Sequence, residues 1–199
     1  MRHLKTLLLT ALTALGFAQA HAQQAEDIIL QNIMTRTSIR KFEQRPVEDA
    51  KLEKLLRAGM AAPTCNDKQP WHFVVLHTKA DIDAYAASNP HHADDIKATP
   101  LLIFVCADTT RMNQGMGREL WIQDCSAASE NILLAAHAMG LGAVWTTIWP
   151  IERKVKGISK AIHLPDNLIP LNCICIGYPA EQHAPKDKWD TNKITYGLK

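Results

Sequence analysis

Three short segments of this 199-residue chain carry side chains whose types and spacing suit ligand chemistry. The first is Arg36-Thr37-Ser38-Ile39-Arg40, in which two guanidinium groups and a hydroxyl occupy alternate positions. On an extended backbone alternate side chains share a face, so Arg36, Ser38 and Arg40 can converge on one phosphate group. Arginine suits that task because its planar fork pairs with two phosphate oxygens at once, while serine adds a neutral donor. Taken alone, a solvated basic turn accounts for the same residues. In the second segment, Ala62 to Trp71, Pro63 and Pro70 fix the backbone around Asn66 and Gln69. Carboxamides offer donor and acceptor together and can read the mixed edge of a heterocycle. Alone, the segment is also an ordinary turn leading into a strand. The third is Pro185-Lys186-Asp187-Lys188, two more cations that in isolation read as solvated tail lysines.

Thiols and imidazoles give a weaker pattern. The five cysteines are Cys65, Cys106, Cys125, Cys173 and Cys175, an odd count that leaves at least one without an intrachain partner. Cys173 and Cys175 stand two apart in an apolar run, so on a strand they share a face and are poorly placed to bridge each other. Neither Cys-x-x-Cys nor a Cys/His spacing suited to structural zinc occurs, and no metal ligands are assigned. His91 and His92 lie in a Pro-containing stretch and read as solvated; a metal-binding protein using them with a cysteine is the rival reading.

Those segments need elements to position them. Residues 26–35 carry Ile28, Ile29, Asn32 and Ile33 at helical spacing, which predicts a short helix ending before Arg36. Pro46, Glu48 and Asp49 mark a helix start, and Leu52, Leu55, Leu56 and Gly59 continue its stripe. The apolar runs 73–77, 101–106, 143–148 and 171–177 read as core strands. A long helix is expected from about Glu119 to Met139, with Ile132, Ala135, Ala136 and Met139 on one face and Gly140 as its cap, and a shorter one over 151–161. Segments 80–99 and 108–118 read as loop-rich, mobile and lid-like. Strands interleaved with helices without a strict βαβ rhythm favour an α+β layer fold.

A charge of +2, with scattered Lys and Arg, gives no sign of a nucleic-acid surface or a polybasic membrane patch, and a small-molecule partner is expected. Residues 1–22 read as a secretory signal peptide: Arg2, His3 and Lys5, an apolar run from Leu7 to Ala18, and an Ala20-His21-Ala22 cleavage site. An uncleaved anchor is the alternative. The expected mature domain spans 23–199, exported and periplasmic.

As a set, the three segments and the turn Gly140-Leu141-Gly142-Ala143-Val144-Trp145 resemble the nitroreductase family, in order and in spacing. Arg36 to Phe42 resembles its flavin-phosphate motif. Ala62 to Phe73 resembles its ring-binding segment, with Thr64 where serine is common. Gly177-Tyr178-Pro179, followed by Lys186 and Lys188, resembles its closing phosphate contacts. The resemblance implies a three-layer α+β sandwich with a mostly antiparallel central sheet flanked by helices, and an obligate homodimer with FMN between protomers. It implies that Arg36, Ser38, Arg40, Lys186 and Lys188 hold the phosphate and ribityl end. It also implies that Pro63, Thr64, Cys65, Asn66 and Gln69 line the ring edge, some from the opposite protomer, and that backbone around Thr146 and Thr147 approaches the ring's other side. Cys65 is either an inert neighbour or a redox participant.

In such a family the flavin carries the chemistry, so no acid or base side chain is nominated. The implied activity is reduction of a nitroaromatic, quinone or similar acceptor, with NAD(P)H as reductant in vitro. A membrane or protein electron donor would serve an exported chain. A flavin-dependent dehalogenase or other specialised reductase is the neighbouring alternative, and a non-catalytic flavin-binding protein the rival of another class.

Overall fold

A computed structural model of the protein describes residues 23–198; the expected signal peptide lies outside the described residues. The chain divides after Thr35 into two units. In the first, α1 (residues 23–35) is helical as its spacing predicts, and Ile28, Ile29, Leu30, Ile33 and Met34 are exposed.

The second unit is built on four antiparallel strands in the order β1-β2-β4-β3: β1 (Trp71–Leu76), β2 (Leu101–Asp108), β3 (Gly142–Thr147) and β4 (Leu168–Gly177). β2 and β4 are the inner pair, and both their faces are covered. Their apolar side chains therefore run almost without interruption instead of alternating with polar ones, as LLIFVCA in β2 illustrates.

Helices cover both faces, giving the three layers. On one face, α2 (Asp49–Met60) and α5 (Trp121–Ala138) pack with Leu101, Ile103, Val105, Ile174 and Ile176. Gly59 lets α2 and α5 approach closely, because a Cβ there would sit 3.0 Å from Ile132 Cδ1. On the other face, α3 (Lys79–Ala87), α4 (Ala93–Lys97) and α6 (Glu152–Ala161) pack over Leu102, Phe104, Cys106 and Cys173. Tyr85 of α3 meets Phe104 edge to face, with ring centroids 5.2 Å apart.

Segment 80–99 corrects the sequence reading: it is mostly helical, comprising α3, a 3-10 turn over Pro90–His92, and α4. Thr78 caps α3 by accepting the Asp81 N–H, and Ile82, Tyr85 and Ala86 bury one face at i, i+3, i+4 spacing. The polar cluster Asn89-Pro90-His91-His92 breaks between two short helices and is not a long loop. Segment 108–118 is turn-rich, with a 3-10 helix over Gly115–Leu120.

A candidate flavin cavity and its separated half-sites

The Arg36–Arg40 segment lies along the free edge of β3. Ser38 bridges Ala143 in parallel, and the Ile39 N–H donates to the Ala143 carbonyl at 3.0 Å. Gly142 permits this approach, since a Cβ there would fall 2.7 Å from Ile39 Cγ2. On its other side, the chain after Arg40 pairs with the closing segment. Phe42 bridges Pro179, Glu43 N–H donates to Tyr178 O, and Ala180 N–H donates to Lys41 O. The first and third motifs are thus brought together by backbone pairing, although Lys186 and Lys188 lie further out in an exposed tail.

Arg36 is held mostly out of solvent, its Nε buried without a hydrogen-bond partner, 3.4 Å from Glu130 Oε1. The Glu130 carboxylate of α5 supplies its counter-charge, so the guanidinium is ion-paired although its Nε makes no hydrogen bond, and neither Arg36 nor Ser38 lines the cavity that opens beside Arg40. Its neighbour Arg40 has its backbone N–H taken by Glu181 Oε1 at 2.7 Å, and its side chain forms no ion pair among the described residues. Backbone donation from Arg40, helped by His183 and Lys41, holds the Glu181 carboxyl below the usual carboxylate range.

A cavity of about 970 Å³ opens beside Arg40, between the sheet and helices α3, α4 and α6. Thr146 and Thr147 line one wall, and Asn89 to His92 line the other. Its volume is at the upper end for small-molecule sites, which supports a drug-sized ligand with space beside it. Thr146 Oγ1 donates to Cys173 O at 2.8 Å, and Lys154 Nζ donates to Thr147 O at 3.0 Å. These bonds fix the β3 end that was expected to approach the ring. Sequence reasoning missed Tyr85, Lys154, Cys173 and Cys175 as lining residues. Their common signal was position, on faces directed at one space, which no local motif records.

The second motif lies elsewhere. Pro63, Thr64, Cys65, Asn66 and Gln69 do not line this cavity. They form a turn before β1 in which Asn66, Asp67 and Gln69 all take positive φ, of 54°, 51° and 47°. Left-handed backbone at three non-glycine positions is costly and persists only where surrounding bonds enforce it. Cys65 N–H donates to the buried Asp124 Oδ1 at 2.9 Å, Asn66 Nδ2 to Asn113 Oδ1 at 2.9 Å, and Gln69 N–H to Thr64 Oγ1 at 3.2 Å. Arg111 Nε donates to the Lys68 and Gln69 carbonyls.

Register shows how far apart the motifs are. Trp71 pairs with Ala107 and Asp108 with Leu168, at one end of the sheet; Ser38 adjoins Ala143, which pairs with Ile176, at the other. Three strand spacings separate β1 from β3, so the two motifs occupy opposite corners of the sheet, about 30 Å apart on the diagonal.

Comparison with known proteins agrees with this architecture. Residues 33–178 match the model of the nitroreductase family. A protein of Methanothermobacter thermautotrophicus, provisionally named an NADH dehydrogenase/NAD(P)H nitroreductase, is 41% identical over 83% of this chain and 85% of its own length. A crystal structure from Parabacteroides distasonis with the same provisional name is 42% identical, with a TM-score of 0.76, covering 85% of this chain and 98% of that one. A structure from Desulfovibrio desulfuricans, provisionally named a nitroreductase and solved with FMN, is 26% identical with a TM-score of 0.70, covering 85% and 96%. The chain belongs to the nitroreductase family, and with it to the flavin-dependent oxidoreductases.

Proposed function

We propose that the protein is an FMN-dependent reductase of small aromatic acceptors, nitroaromatics or quinones, working as a homodimer and exported from the cytoplasm. The observation that carries the reading is the cavity beside Arg40, large enough for a flavin and walled by Thr146 and Thr147. Arg36, Ser38 and Arg40, with Lys186 and Lys188 from the tail, supply the donors and charge that a ribityl phosphate needs. Thr146 and Thr147 offer backbone along the ring. Flavin supplies two-electron hydride chemistry when bound. This chain's residues hold the phosphate, present one wall to the ring and keep water from its inner face.

The ring edge is assigned to Pro63, Thr64, Cys65, Asn66 and Gln69 of the other protomer, and the separation of about 30 Å within one chain supports that assignment. A two-fold dimer answers it, because a two-fold axis brings one corner of each sheet to the opposite corner of its mate. The exposed apolar residues of α1 supply surface for such an interface. Relatives named for NADPH or NAD(P)H support reduction by nicotinamide in vitro. An exported chain would take electrons from a membrane or protein donor instead.

The test is a visible spectrum of purified protein, with flavin counted against protomer. About one FMN per protomer is expected, and Arg36→Ala should weaken retention by about 1–3 kcal/mol. Colourless protein that cannot be reconstituted with FMN overturns the reading.

A further inference from the structure

The floor of the cavity carries two thiols that flavin binding does not use. In β4, Cys173 lies opposite Thr146 and Phe104, and Cys175 opposite Val144 and Leu102. Residues opposite one another in a ladder share a face, so both thiols rise from the same side of the sheet, and both line the cavity. They are free, and Thr146 stands beside Cys173 on β3, its Oγ1 donating to the Cys173 carbonyl at 2.8 Å. The pair is unsymmetrical. Cys173 is buried, whereas Cys175 is half-buried.

Strand geometry decides what such a pair can do. Same-face neighbours on a strand have Cβ atoms about 6.7 Å apart, whereas a disulfide needs about 3.8 Å. β4 is paired on both sides and cannot pucker to close that gap. An ion between two sulfurs instead adds two metal–sulfur bonds of about 2.3 Å, a sulfur separation of about 4.6 Å that two inclined thiols can span. Among the described residues no group of three or more His, Cys, Asp or Glu is placed to hold a metal, which removes four-coordinate zinc. Two thiolates alone suit soft monovalent ions. A dithiolate complex of a monovalent cation has a net negative charge, and the lining offers Arg40, Lys41, Arg153 and Lys154 against Asp95.

We propose that Cys173 and Cys175 form a two-coordinate thiolate site for a soft monovalent cation of the Cu(I) class on the cavity floor. Binding breaks two S–H bonds, forms two metal–sulfur bonds and releases two protons to solvent; nothing is oxidised or reduced. The site shares the cavity proposed for the flavin but uses none of the side chains assigned to it.

The test titrates full-length protein with Cu(I) anaerobically, following near-ultraviolet thiolate absorption and remaining free thiols. One ion per protomer should remove two thiols, with Cys173→Ser and Cys175→Ser each weakening binding about 100-fold or more. Cys65→Ser, in the turn before β1, should leave binding unchanged. X-ray absorption of the unmutated protein should show two sulfur neighbours and no third ligand, which decides the matter even if a serine variant fails to fold. Equal loss in Cys65→Ser, a third ligand, or a Cys173–Cys175 disulfide in peptide mapping of air-oxidised protein overturns the proposal.

Discussion

Glu181 Oε1 accepts the backbone N–H of Arg40 at 2.7 Å and that of Lys41 at 3.2 Å, so one carboxylate holds the phosphate-binding segment against the closing segment. Its charge is spent on backbone donors and not on the guanidinium, which stays available. Glu181→Ala removes both of these bonds and should therefore weaken FMN retention roughly fivefold or more, with Arg40 still present. The Glu181 pKa is depressed, so its contribution is complete above the ordinary carboxylate value and fades as pH falls through the lowered one. Free-flavin fluorescence against pH should show release starting at higher pH in the variant; identical curves refute the role.

Tyr178 joins the end of β4 to the start of α2. Its hydroxyl donates to Glu48 Oε2 at 2.7 Å and accepts from Lys51 Nζ at 2.9 Å, while the Arg45 guanidinium lies 3.8 Å from the ring centroid. That hydrogen bond is the largest cause lowering the Glu48 pKa from 4.5 to about 2. The resulting stability is present above pH 4.5 and is lost as pH falls toward 2. In Tyr178→Phe an NMR titration should find Glu48 moved back toward its ordinary value, with much of that acid-range loss of stability abolished. An unmoved Glu48 would show that the contact does not persist in solution.

Gly142→Ala tests the close approach of the Arg36–Arg40 segment to β3. The new Cβ meets Ile39 at 2.7 to 2.8 Å, against a β-branched side chain with little freedom to yield. A loss of about 1–3 kcal/mol in denaturant unfolding is expected, with weaker flavin retention. Unchanged retention would mean that the segment is not positioned through this contact.

Asp124→Ala removes the acceptor for the Cys65 N–H and leaves a donor unpaired, at a cost of about 1–3 kcal/mol. Amide exchange should quicken first across Cys65 to Gln69, where the positive-φ turn depends on its bonds. Exchange unaltered there but faster in α5 would assign Asp124 a purely helical role.

Much of the fold was legible because strands 101–108 and 168–177 are long, apolar and bounded by turns, and because α2 and α5 keep a clear 3.6-residue stripe. α3 and α4 were missed because, at nine and five residues, they are too short for the stripe to outweigh Asn89-Pro90-His91-His92. The Thr78 cap and the spacing of Ile82, Tyr85 and Ala86 were the available clues. The alternation of Arg36, Ser38 and Arg40 was legible, since it is local, and the structure lays that segment along β3. The distance separating it from Asn66 and Gln69 was not, because it depends on strand order and register, which the spacing of the motifs does not encode. The thiol floor was half legible: the shared face of Cys173 and Cys175 follows from their spacing, but the cavity above them is made by α3, α4 and α6.

The diagonal placement of the half-sites has a genetic consequence. If each flavin site takes its arginines from one chain and its carboxamides from the other, two crippled chains can repair one another. A chain lacking Arg36 and a chain lacking Asn66 would each fail as pure dimers. Mixed at random in equal amounts, half the dimers would contain one of each. Every such hybrid has one site with both halves intact and one with both broken, so about a quarter of all sites should recover. Co-expression would restore activity that neither parent possesses.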